Sequence, residues 1–136
     1  MRHRLVGAAV LAIAGPAGAA GCGDELPAAS RIRIEQGGVT LAFSPRPAPL
    51  AIGRHFSVDV VVCSPSGMPG PALARVDADM PAHRHGMNYR PTVRALGGDR
   101  YAADGLMLHM PGRWRFVFDL GSGAAAMRMG HEVDVE

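Results

Sequence analysis

Short runs of alternating apolar and polar residues dominate this chain. The sharpest spans residues 55–63, where Phe56, Val58, Val60 and Val62 alternate with His55, Ser57, Asp59 and Val61. Successive side chains of a strand point to opposite faces, so this spacing predicts a strand with one core face and one mostly polar face. Residues 113–120 repeat the pattern, with Trp114, Phe116, Phe118 and Leu120 inward and Arg113, Arg115 and Asp119 outward. Further strands are expected over residues 39–44 and 73–80, the latter setting Ala74, Val76, Ala78 and Met80 against Asp77 and Asp79. Residues 91–96 and 100–104 read as a hairpin across Gly97-Gly98-Asp99, a glycine turn of the hairpin type. Residues 106–110 and a weaker run over 127–135 complete the set, and the Ala/Gly segment 121–126 reads as a loop. No 3.6-residue apolar stripe is long enough for a helix. About seven short strands, with turn residues roughly every 8 to 12 positions, predict an all-β chain folded as an immunoglobulin-like antiparallel β-sandwich with Trp114 in its core.

Upstream of these strands the pattern changes. Arg2 and Arg4 precede an apolar run over residues 5–14 and a small-residue stretch over 17–21, the arrangement of an export signal. The run is shorter than the roughly 20 residues of a permanent membrane helix. Residues 1–21 are therefore read as a signal peptide. Residues 22–37, polar with few large apolar side chains, read as a tether, and 38–136 as one folded domain large enough to bury a core. Ala19-Ala20-Gly21-Cys22 resembles the bacterial lipoprotein box, in which the cysteine carries the lipid. On that reading Cys22 holds the protein on a membrane, in the periplasm or cell envelope. A pair of cysteines in an exported chain otherwise reads as a disulfide, here Cys22 with Cys63. The two readings exclude each other, because lipidation would leave Cys63 alone as a small apolar residue.

Charge narrows the function classes. All 14 basic residues are arginine, and without Arg2 and Arg4 the remaining 12 face 12 acidic residues. A nucleic-acid surface would need a clustered basic excess, so none is expected. There is no serine or cysteine nucleophile constellation and no phosphate-cradling glycine motif, which argues against an enzyme.

The candidate chemistry lies in Met80-Pro81-Ala82-His83-Arg84-His85-Gly86-Met87 and in His109-Met110-Pro111-Gly112. Of six histidines, five remain beyond the leader, and three of those fall in these two segments with methionines beside them. Imidazole and thioether together suit copper, whereas zinc favours more nitrogen or thiolate. If residues 83–87 are extended, His83, His85 and Met87 project to one side and can converge. From the second segment His109 is the first choice, since Met110 shares parity with Leu106 and Leu108 and fits the core. The candidate ligands are thus His83, His85, His109, Met87, Met80 and Met110, with packing the competing role for the methionines. Asp77, Asp79, Asn88 and Tyr89 could orient imidazoles or simply be solvated. His55 and His131 have no matching context.

With Tyr101, Gly105-Leu106 and Met110-Pro111-Gly112-Arg113-Trp114, these residues resemble the YtkA-like domain over roughly residues 51–120. That family comprises small exported or membrane-attached β-sandwiches with a Met-Pro-x-His-x-His segment and a later Met-Pro-Gly-x-Trp. The resemblance implies an immunoglobulin-like fold and an association with copper or respiratory-oxidase assembly. It highlights Met80, His83, His85, Met110 and the core residue Trp114, while Arg84 stands where glycine is common. The expected function is a copper-binding metallochaperone or copper-handling accessory protein, with copper and an envelope or respiratory-complex protein as partners. The rival expectation is a metal-free assembly module that uses the Met/His loop as a protein-contact surface. A superoxide dismutase site would need a larger histidine set than this chain supplies.

Overall fold

The computed structural model describes residues 20–65 and 69–136. The proposed signal peptide lies outside the described residues except for Ala20 and Gly21. Among the described residues nine strands form: β1 (Ile32–Gln36), β2 (Val39–Arg46), β3 (His55–Cys63), β4 (Leu73–Met80), β5 (His85–Gly86), β6 (Thr92–Gly97), β7 (Arg100–Met107), β8 (Gly112–Leu120) and β9 (Met127–Val135). They pair antiparallel in two sheets, of order β1-β2-β3-β7-β6 and β5-β4-β8-β9. The chain is an all-β sandwich. With β2, β3, β7 and β6 as A, B, E and D, and β5, β4, β8 and β9 as C′, C, F and G, the strand order is that of an immunoglobulin-like domain.

The core forms where the predicted inward faces meet. Leu41, Phe43, Val58 and Val60 of one sheet and Val76, Ala78, Trp114, Phe116 and Phe118 of the other are at most 1% exposed. The Phe43 ring bridges the layers, with centroids 5.4 Å from Phe116 and 4.8 Å from Phe118. Such offset aromatic contacts add to the area they bury. Trp114 sits on β8 rather than on the C strand, where antibody-type domains keep their tryptophan.

Three expectations are corrected. The tether of residues 22–37 is part of the fold: β1 pairs along β2 from Ile32 with Phe43 to Gln36 with Val39. Ahead of it, Leu26 packs with Ala42 and Val61 on the outer face of the five-stranded sheet. Val61, read as part of a polar face, is therefore buried as well. Second, residues 106–110 are not a separate strand. Leu106 pairs with Phe56 and Asp104 with Ser57, which leaves Gly105 as the extra residue of a bulge. Its φ of 90° suits a glycine, and it breaks the alternation without ending β7. Third, a register shift between Leu73 and Arg75 turns Leu73 inward and leaves Ala74 exposed.

The cysteines take the disulfide alternative. Cys22 and Cys63 are bonded, with Cα atoms 6.0 Å apart. A Cys22 Sγ held in that bond cannot also carry a thioether lipid, so the expected anchor and a solitary Cys63 do not go with this structure. Backbone contacts reinforce the clasp: Arg33 Nε donates to the Cys22 carbonyl at 2.6 Å, and Arg31 donates to the Gly23 carbonyl at 3.1 Å.

Candidate metal centre

At one end of the sandwich β4 runs into Pro81, which opens a single 3₁₀ turn over Pro81–His83. Proline fits there because its fixed φ suits the first helical position and the missing N–H has no partner to lose. Arg84 closes the turn in the left-handed conformation, with φ 55°, and its N–H donates to the Pro81 carbonyl. The chain then doubles back, so that His85 pairs with Met80 and Gly86 with Asp79. The expected extended segment is therefore a tight reversal. His83 and His85 still meet, with ring centroids 5.7 Å apart, but through the turn and not through strand alternation.

The second segment reaches the same place from β7. Residues 108–111 cross between the sheets at this end. There the Gly53 N–H donates to the Leu108 carbonyl at 2.8 Å, and Trp114 Nε1 donates to the Met110 carbonyl at 2.9 Å. Held this way, His109 puts its ring 5.2 Å from that of His85. Trp114 forms the floor, edge-on to His109 at 5.3 Å and to His85 at 6.0 Å. His83 and His109 are exposed and His85 is half-buried. His85 Nδ1 lies 3.3 Å from the Gly86 carbonyl, a long contact that leaves Nε2 the freer nitrogen.

The methionines divide. Met80 is 1% exposed and belongs to the core. Its methyl lies so close to Gly112 that a β-carbon there would sit 2.8 Å from it, and Gly112, at φ 130°, has none. Met110 is half-buried against the core beside His109. Met87 packs against the core too, and lines a cavity of about 690 Å³ with Tyr89, Arg90 and Arg75, whereas His85 borders a separate one of about 430 Å³. Met87 thus faces a different cavity from the one that His85 borders.

Of the expected orienting groups, Asp77, Asp79 and Tyr89 contact other residues. Asp79 takes two hydrogen bonds from Arg115, at 3.0 and 2.6 Å, and this contact holds the Arg115 guanidinium above its ordinary range. Asp77 pairs with Arg75 and accepts the Ala78 N–H at 2.8 Å. Tyr89 stands edge-on to His55, with centroids 4.9 Å apart, and His131 lies against Phe43. Two features were missed in the sequence: Trp114 as the floor of the site, and the contact between His55 and Tyr89. Trp114 was assigned only to the core, which its alternation supports equally well.

Among the described residues no group of three His, Cys, Asp or Glu side chains closes around one point as a metal cage would. The three imidazoles instead form a row with His85 in the middle, offering two adjacent pairs. A row of this kind suits an ion that accepts few, soft or imidazole ligands, as copper(I) does, better than a tetrahedral zinc site. No family model, no curated protein and no solved structure matches this chain.

Proposed function

We propose that this chain is an exported, non-catalytic copper(I)-handling domain of the periplasm or cell envelope. It holds the ion through His85 together with His83 or His109, with Met110, the residue after His109, as a candidate sulfur donor, and passes it to a protein partner by ligand exchange. One observation carries the reading: two segments about two dozen residues apart in sequence bring three imidazoles into one row at an exposed end of a rigid sandwich. The YtkA-like resemblance of the same segments supports it. An exposed site with two ligand pairs sharing one histidine also favours exchange over permanent retention.

Competition titration of the intact chain against a copper(I) chelator tests the reading. His83→Ala with His85→Ala should abolish tight binding while the β-type circular dichroism persists. His109→Ala should weaken binding and His131→Ala leave it unchanged. Imidazole ligands must be neutral, so affinity should also fall on acidification. Equal affinity in the wild type and the double variant would sink the metal site and favour the protein-contact reading.

A further inference from the structure

Eight of the twelve arginines among the described residues are paired with carboxylates. Arg54, Arg84, Arg90 and Arg100 have no carboxylate partner among those residues, and the first three stand at the histidine end of the sandwich. Arg84 lies between His83 and His85. Arg54 follows Gly53, whose N–H is bonded to the loop that carries His109. Arg90 follows Tyr89, whose ring meets His55 at the start of β3. Glu136, next to the Val135 that pairs with Gly112, is the one carboxylate at this end with no ion-pair partner among the described residues. Two further signs mark the surface. Arg84 is the only non-glycine at positive φ among the described residues, a conformation that disfavours any side chain. Tyr89, 40% exposed, is one of two large apolar residues left open to solvent among the described residues.

We infer that this end docks against a carboxylate-bearing segment of a partner protein and that this partner is the copper acceptor; the second half rests on the function proposed above. Guanidinium planes take carboxylates in a two-pronged fit that lysine cannot reproduce. Arginine and tyrosine are also the side chains that most often carry the binding energy of protein interfaces. The cationic Arg84 between His83 and His85 weakens the site's hold on a metal ion, and the positive charge of this end draws an acidic acceptor to the same place. A bilayer fits less well, because membrane-surface segments combine many basic residues with a continuous apolar face, and here Tyr89 stands alone.

The test uses the intact, metal-free chain with two synthetic peptides, one rich in glutamate and the other with every glutamate replaced by glutamine. Fluorescence anisotropy should show the glutamate peptide binding about tenfold tighter or better at low salt, an advantage that shrinks as salt screens it. Arg54→Gln, Arg84→Gln and Arg90→Gln combined should erase the preference with the melting curve unchanged, whereas Arg100→Gln, at the other end, should retain it. Equal binding of the two peptides, or equal loss in Arg100→Gln, would overturn the docking surface. Arginine-dependent binding to phosphatidylglycerol vesicles in preference to the glutamate peptide would overturn it as well. Peptide preference without copper(I) binding in the chelator titration would overturn the proposed function and the acceptor assignment while upholding the docking surface.

Discussion

His85 is the residue on which the candidate site turns, since its ring lies between those of His83 and His109 and borders Trp114. The pairing of His83 with His85 was legible because both fall in one short segment. Its cause was not, because the left-handed Arg84 that reverses the chain leaves no trace in apolar periodicity. Met80 shows the limit of residue type as a guide: its parity with Val76 and Ala78 placed it in the core more reliably than its chemistry placed it at the metal. Trp114 joins the two roles, and its N–H tethers the Met110 carbonyl. Trp114→Phe keeps an aromatic filler and removes that donor, so it should lower stability by about 1 kcal/mol. It should also weaken copper(I) binding severalfold by loosening the His109 loop. Trp114→Ala should cost about 3 to 5 kcal/mol. Denaturant unfolding and chelator competition read the two effects separately, and full copper affinity in Trp114→Phe would show that the tether does not position His109.

At the scale of elements, β3, β4 and β9 span the residues expected of them, although the alternation of β4 fails at its first residues. β1 was missed because only Ile32 and Ile34 mark it, alternating with charged residues that suit an edge strand. What holds this edge in place is long-range and so invisible to a local pattern: Leu26 over Ala42 and Val61, and the bond between Cys22 and Cys63. The cysteines are 41 residues apart, and closing a loop of that length lowers the entropy of the unfolded chain by an amount equivalent to about 4 kcal/mol. Reduction, or Cys22→Ser with Cys63→Ser, should therefore lower the unfolding free energy by about 2 to 4 kcal/mol and free the segment ahead of β2. Protein recovered after export without reductant should contain no titratable thiol. A free Cys63 thiol together with a lipid mass on Cys22 would show that the anchor forms in place of the clasp.

Across the whole molecule, period-two alternation made the fold class legible, while the order of strands in each sheet depends on contacts between distant segments that no local run encodes. The outer faces show a further regularity, in which aspartates on one strand meet arginines on its neighbour. Asp119 on β8 takes two hydrogen bonds from Arg128 on β9, and Asp104 on β7 takes one from Arg94 and one from Ser57. The hydrogen bond from Arg128 chiefly lowers the Asp119 carboxyl below its ordinary value of 3.8, and that from Arg94 does the same for Asp104. A carboxyl whose folded value is depressed contributes stability that is fully present above its unfolded value and is lost as pH falls through the folded one. Stability from these pairs should therefore hold from neutral pH down to the ordinary carboxylate range and decline below it. Both partners are partly solvated, so each pair is worth at most about 1 kcal/mol. Asp119→Asn removes one such contribution: the variant should be slightly less stable than the wild type at neutral pH and converge with it in strong acid. Urea unfolding measured at a series of pH values checks this, and a constant offset between the two curves would show that Asp119 stabilises the sheet without regard to its charge.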